Sequence, residues 1–338
     1  MDFLITELTP EQRTQLQVSE RAMLALRTSM TAAKRNCFYW DWSTSGLQPC
    51  LVSVGKPIET TLLPSAGRDL EMIRTSQRQR FDSARHTLHQ AMTDHDQAVD
   101  ANQQLQLGNA EPMAVAILNA LQEVDVLKFH RVIGTHALFA YESAAGVSFD
   151  SSSTATQDID LLWNRQSKIE FRTAMNLYQS EISMIEVLRK ADPTFRRNEE
   201  NKESAVNDDS FAVDFLREDD NPKPELKDRQ VVSMSDADQD ILPVVAQDSE
   251  KFMQGQIFEK VVISYRGDMA LMPTVDPVIF AHFKQGMSKS ASRDTMKTLR
   301  DATQAEAVVH LLNRGLLKSA LSPEAIRAYQ VEGLNIPA

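Results

Sequence analysis

Residues 132–163, VIGTHALFAYESAAGVSFDSSSTATQDIDLLW, decide how the rest of the chain is read. Val132 and Ile133 run into Gly134-Thr135, after which Ala137, Leu138, Ala140 and Tyr141 return at helical spacing, so the segment predicts strand, tight turn and helix. A glycine at that turn lets another group approach the main chain closely, and the free N–H groups of a helix start, with the Thr135 hydroxyl, form a seat for phosphate. An ordinary turn with a capping residue carries the same Gly-Thr pair. Further on, Asp158-Ile159-Asp160-Leu161-Leu162 alternates acids with bulky apolar residues. This predicts a half-buried strand with both carboxylates on one face, about 7 Å apart. Two acids so placed repel unless a cation lies between them, and Mg²⁺, a hard ion that takes carboxylate and phosphate oxygens, suits the position.

Asp-x-Asp is common in an acidic chain, and Asp94-His95-Asp96 and Asp236-Ala237-Asp238-Gln239-Asp240 repeat it. Those two lie in polar surroundings and read as solvated carboxylates. The pair at Asp158 and Asp160 is framed by apolar residues, where an unpaired charge is expensive.

Gly134-Thr135 followed by a helix, then Asp158-Ile159-Asp160 on a strand, resembles the signature of the DNA polymerase beta-like nucleotidyltransferase superfold. GTHALFAYESAAGV with TQDIDLLW is similar, more closely, to a bacterial family of predicted nucleotidyltransferases, over roughly residues 35 to 313. The resemblance implies a third metal-binding acid on a later strand, for which Phe211-Ala212-Val213-Asp214-Phe215-Leu216 offers Asp214. It also implies that the lysine of PVIFAHFK and the later Arg and Lys approach nucleotide phosphates, which carries over to Lys284, Arg293 and Lys297. Two departures stand out. Thr135 replaces the serine of many superfold members but keeps the hydroxyl, and the gap between Gly134 and Asp158 is long, so the intervening loop has to fold back for the site to close.

With 338 residues, 42% hydrophobic and 25% charged, the composition is that of a globular chain long enough for two domains, or for one large domain with helical additions. No apolar run approaches the ~18 residues of a membrane span, and the N-terminus MDFLITELTPEQR lacks the blocks of a secretory signal, so a cytoplasmic protein with no membrane partner is expected. A net charge of -11 argues against sequence-independent coating of DNA or RNA, though not against a local basic groove. The two cysteines, Cys37 and Cys50, are too few for a disulfide framework or a four-ligand zinc site and read as free thiols, although both fall in one hairpin.

Along the chain, residues 3–33 read as an N-terminal helix with Leu16, Val18, Met23, Leu24 and Leu26 as apolar positions and a start at Thr9-Pro10-Glu11. An aromatic hairpin follows at about 37–54, and its Tyr39, Trp40 and Trp42 suit packing or base stacking. A long, mostly exposed helix or helical hairpin is expected at about 64–107. Its apolar positions are Leu70, Ile73, Phe81, Leu88, Met92 and Val99, and His86, His89 and His95 read as surface residues. Arg74, Arg78, Arg80 and Arg85 read as a solvated face, with a nucleic-acid face as the other reading. Residues 112–126 and 180–190 read as helices, 196–209 as a loop, and Val261–Tyr265 with Ala270–Met272 as a hairpin at the sheet edge. Disorder is expected between about 218 and 240. In the last helical segment, Ala281, Phe283, Leu299 and Ala302 are candidate core positions, and Asp294 and Asp301 are ion-pair partners, Asp301 alternatively orienting a basic residue.

These readings converge on an α+β fold. A nucleotidyltransferase core, a mixed sheet flanked by helices, spans residues 110–272, between an N-terminal helical region with the hairpin (1–109) and C-terminal helices (273–338). The expected chemistry is transfer of a nucleoside monophosphate from an NTP to an acceptor (protein, RNA or small molecule) with release of pyrophosphate. Asp158, Asp160 and Asp214 would hold two Mg²⁺ (or Mn²⁺) ions, and Gly134 and Thr135 would hold the β and γ phosphates. Two other classes remain open: a nucleotide-binding regulator or toxin-antitoxin component that binds without turnover, and an interaction protein whose long polar helices meet a partner.

Overall fold

The computed structural model describes residues 5–35, 38–41, 50–53, 67–150, 154, 156–164, 183–218, 234–235, 240–246, 249–253, 255–291 and 293–335. They form two compact units, one of residues 17–101 and the other of residues 1–16 with 102–338.

The first unit holds most of helix α1 (Pro10–Arg35), the hairpin β2 (Phe38–Asp41) and β3 (Cys50–Ser53), and most of helix α2 (Gly67–Gln104). The hairpin register sets Cys50 opposite Asp41, while Cys37 lies outside the described residues. On α1, Leu16, Ser19, Ala22 and Met23 are buried, whereas Val18 and Leu24 are exposed. On α2, Ala91, Ala98 and Asn102 are buried, and the bulkier Phe81 and Met92 are exposed. Leu88 and Val99 are half-buried, so the apolar positions are divided between contact and solvent, as on a mostly exposed helix. Arg78, Arg80, Arg85, His86 and His89 are exposed, as a solvated face requires.

The helix begins at Pro10, at the start read from Thr9-Pro10-Glu11, and the residues before it form β1 (Ile5–Glu7), which opens the second unit. It pairs antiparallel with β5 (Val147–Phe149), a strand inside the long insertion between Gly134 and Asp158. The insertion therefore closes back on the chain's start. The main sheet runs β11 (Phe258–Ile263), β12 (Met269–Thr274), β4 (His130–Ile133), β6 (Asp158–Trp163), β9 (Ala212–Arg217), β8 (Ser204–Val206), β7 (Arg196–Arg197), with β10 (Val244–Val245) beside β9. It is mixed: β4 is parallel to β12 and antiparallel to β6, and β6 is parallel to β9. The hairpin expected at the sheet edge is there, but residues 196–209, expected as a loop, supply the opposite edge through β7 and β8. Arg196 bonds Asp208 at 2.6 Å outside the ladder, and the apolar Ala205 is fully buried. Charge masked a short edge hairpin whose pairing is made by the main chain.

Period two distributes the strand side chains over two layers. Val132, Ile159, Leu161, Trp163, Val213 and Phe215 pack on one face with α3 (Pro112–Glu123) and α5 (Met184–Arg189). Ile133, Leu162 and Leu216 pack on the other with α4 (Ala137–Ala145), α7 (Pro277–Ser288) and α8 (Thr295–Asn313). Burying one such side chain contributes roughly 1.5–3 kcal/mol, so this alternation fixes which face Asp158, Asp160 and Asp214 take.

Local signals end the helices where expected. Gly146 caps α4 at φ 66, Asp276 accepts from the Val278 N–H at 2.9 Å at the head of α7, and Asp294 does the same for Met296 and Lys297 on α8. Two shorter helices, α6 (Ser249–Met253) and α9 (Pro323–Tyr329), belong to the same unit. Asp240, read as solvated, is 1% exposed and accepts from the Met184 and Ile185 N–H groups at the start of α5. The rest of that acidic run, and most of the stretch expected to be disordered, lies outside the described residues. Among the described residues no helix is long and apolar enough to cross a membrane.

Candidate functional site

Asp160 sits in the middle of the sheet, in register with Ile133 of β4 on one side and Asp214 of β9 on the other. Paired neighbours in a sheet lie about 4.8 Å apart, so Asp160 and Asp214 adjoin, with Asp158 one pleat along the same face. Gly134 ends β4 immediately beside them, at φ 68. A Cβ on Gly134 would overlap the Asp160 carboxylate, so only glycine lets the turn pass under this acid.

The electrostatics are those of crowded carboxylates. Burial raises the Asp160 pKa to about 7, helped by Asp158 and Asp214 and opposed by Lys284 and Arg293. Asp214 is raised as well, chiefly by burial and then by Asp158 and Glu203, with Ser204 and Lys297 acting against them. Asp158 is turned toward the Thr156 hydroxyl, which donates to it. Among the described residues no group of three His, Cys, Asp or Glu is gathered closely enough to enclose a metal ion. The three aspartates nonetheless fit one chemically: they are hard oxygen donors on one face, and the charges of Asp158 and Asp214 disfavour ionisation of Asp160, a cost a cation would offset.

The basic residues named from the sequence come to the same face. Lys284, 4% exposed on α7, places Nζ 2.8 Å from Asp301 Oδ1, and Arg293 places Nε 2.6 Å from Asp301 Oδ2. Asp301 is fully buried on α8, so it aligns both cations. Burial lowers the Lys284 pKa, against the pull of Asp301 and Asp160. Lys297 lies one helical turn before Asp301, where its charge reaches Asp214. Of the candidate core positions, Ala281 is fully buried, but Leu299 is exposed, since it points away from this seam.

Two residues escaped the sequence reading. Gln304 donates from Nε2 to the Thr135 hydroxyl at 3.2 Å, leaving the hydroxyl its own hydrogen to donate. The signal for it was present: Lys297, Asp301, Gln304 and the core residue Val308 recur at helical spacing along α8. His136, 1% exposed, packs edge-on against Phe139 and Phe211. Burial holds its pKa near 4, so it is neutral. Phe139 is one turn on along the chain, but Phe211 is remote in sequence, and no local pattern marks that contact.

The mixed sheet flanked by helices agrees with a nucleotidyltransferase core, and a family match makes the chain a transferase of phosphorus-containing groups. The chain belongs to a nucleotidyltransferase family, whose model matches residues 112–328. No curated protein and no solved structure matches it. The matched stretch contains every acid, turn residue and cation described above.

Gly134→Ala tests the turn. The positive φ and the overlap with Asp160 together are expected to cost about 1–3 kcal/mol in thermal melting and to weaken Mn²⁺ binding, read by calorimetry, by displacing the carboxylate. An unchanged melting temperature and Mn²⁺ affinity would show that the turn has room to spare.

Proposed function

We propose that the protein transfers a nucleoside monophosphate from an NTP to an acceptor and releases pyrophosphate. The observation that carries this reading is the Gly134 turn lying against Asp160, with Asp214 in register beside it. Asp158, Asp160 and Asp214 would hold two Mg²⁺ or Mn²⁺ ions. Bound there, the ions supply Lewis-acid polarisation of the α-phosphoryl group and neutralise the charge of the leaving pyrophosphate. Gly134 and Thr135 receive the β and γ phosphates, through the close main-chain approach that glycine permits and the Thr135 hydroxyl that Gln304 orients. Lys284 and Arg293, aligned by Asp301, face the triphosphate with fixed positive charge, so little reorganisation is needed as charge develops on the leaving group. Asp214, whose pKa burial raises, is suited to accept the proton of the attacking group.

The test is incubation of the purified protein with each NTP labelled at the α-phosphate, with Mg²⁺ or Mn²⁺ and a cell lysate, beside the Asp158→Ala, Asp160→Ala double variant. Label moving to an acceptor with wild type alone supports transfer. NTP binding without movement of label overturns it in favour of a binding protein.

A pH dependence follows from the Asp160 pKa near 7. Below that pH the metal-free protein holds a proton that an incoming ion has to displace, and above it the carboxylate is free. Apparent Mg²⁺ affinity is therefore expected to fall about tenfold per pH unit below pH 7 and to level off above about pH 8. Calorimetry in buffers of differing ionisation enthalpy reads the released proton directly, and a flat affinity from pH 5.5 to 8 contradicts the assignment.

A further inference from the structure

Glu142, on α4, is a carboxyl that the site above does not use, and it is 7% exposed. Its Oε1 accepts from the Phe149 main-chain N–H and, at 3.4 Å, from the Asn109 amide. Oε2 has no partner among the described residues, yet it is not sealed in the packing, so it opens into the cavity of about 230 Å³ that Glu142 lines. That cavity is bounded by β1, the first turns of α1, the connector between α2 and α3, α4, β5 and the end of β11. All of its lining residues belong to the second unit.

The lining sets the charge and shape of what fits. Among the described lining residues Glu142 and Glu7 are the titratable groups, and none is a cation. Glu7 is neutralised from outside the cavity, one oxygen by Arg13 and the other by Arg314. Glu142 has no such partner. Burial pushes its pKa up to about 8, against the pull of the Phe149 N–H and Asn109, so at neutral pH it holds a proton unless a cation stands beside it. A cation at Oε2 reverses that balance, because an opposite charge at hydrogen-bond distance favours the ionised form. The remaining wall is apolar, with Leu16, Leu107, Phe139, Val147 and Ile263 all buried. An apolar cavity of about 150 Å³ holds benzene, so this one has room for a ring with a short arm, and it falls below the roughly 300–1,000 Å³ of drug-sized sites. A bare divalent ion suits it less, since such ions take roughly six to eight oxygens. Among the described residues no three acidic, histidine or cysteine side chains gather to supply them.

We propose that this cavity is a binding site for a small primary amine, whose ammonium group meets Glu142 Oε2 and whose apolar body lies against Leu16, Phe139 and Ile263. No step of nucleotidyl transfer passes through it, and it stands whether or not the transferase reading does. The bound amine joins the chain's start, in β1 and α1, to α4 and β5, so occupancy stabilises the folded protein.

Benzylamine and benzyl alcohol share a ring and a size and differ in charge at neutral pH. Titrated into the full chain and read by calorimetry, benzylamine is expected to bind about tenfold or more tighter than the alcohol and to raise the melting temperature. Because the Glu142 pKa is about 8, binding at pH 7 is expected to release about one proton, read from how the heat varies with the ionisation enthalpy of the buffer. Glu142→Gln keeps an oxygen for Phe149 and Asn109. It is expected to melt no lower than wild type while losing both the preference for the amine and the proton release. Asp160→Asn is expected to bind benzylamine as wild type does, which separates this cavity from the acidic face. Equal affinity for the two ligands, amine preference retained by Glu142→Gln, or amine binding lost in Asp160→Asn overturns the proposal. If Glu142→Gln does not fold, the wild-type preference and the proton release decide the matter together, and absence of either overturns it.

Discussion

Asp160→Asn is expected to abolish nucleotidyl transfer, by about a thousandfold or more, while making the metal-free protein more stable. The first effect follows from removing the central carboxylate of the three, with its share of the several kcal/mol that metal ions contribute to stabilising a phosphoryl transition state. The second follows from the cost of ionising Asp160 in place. Between about pH 4 and pH 7 the native state holds a proton that the unfolded chain has already lost, because burial and the neighbouring aspartates raise this pKa to about 7. A state that binds more protons is favoured at low pH, so the contribution of Asp160 to stability falls as the pH rises through that window. Asparagine has the same shape under Gly134 and carries no charge. In chelator at pH 8 the variant is expected to be more stable by roughly 2–4 kcal/mol, and at pH 4 the two proteins are expected to melt together. A variant that is active, or no more stable than wild type at pH 8, would show that Asp160 is not the strained centre of the site.

Asp301→Ala is expected to be the most destabilising single change in the C-terminal helices. It would leave Lys284, 4% exposed, without its partner at 2.8 Å, and Arg293 without its partner at 2.6 Å. Breaking a buried pair by removing one member leaves an uncompensated charge and costs roughly 3–5 kcal/mol, whereas replacing both members by apolar residues is often neutral. Denaturant melts of Asp301→Leu, with and without Lys284→Met, separate these cases. The double variant is expected to recover most of the stability lost by the single one. It is also expected to bind NTP less tightly, since Lys284, the cation proposed to face the phosphates, is gone. Equal loss in single and double variants would mean that Asp301 acts by shape and not by charge.

The strand of Asp158 and Asp160 was legible because alternation of acid and apolar residue is a local pattern that the two apolar layers enforce. Gly134 was legible as a turn, but its necessity was not: the group it makes room for, the Asp160 carboxylate, is 26 residues later in the chain. Asp301 was read as a partner for basic residues, and it holds two. Gln304 was legible in principle, from its spacing along α8, yet a glutamine in a helix carries no sign of a remote threonine. The short strands at 196–206 were hidden by their charge, and Asp240 by its acidic neighbours, because main-chain pairing and helix capping use groups that composition does not report.

By itself the sequence determined the α+β character, the acidic strand, the glycine turn and the supply of cations near residues 284–297, since each rests on residue type and period within a dozen residues. Only the tertiary structure decided that Asp214 adjoins Asp160, that Asp301 draws Lys284 and Arg293 together, and that Gln304 meets Thr135. Those relations depend on strand register and helix docking. Both are set by burial of side chains far apart in the chain, for which no local pattern exists.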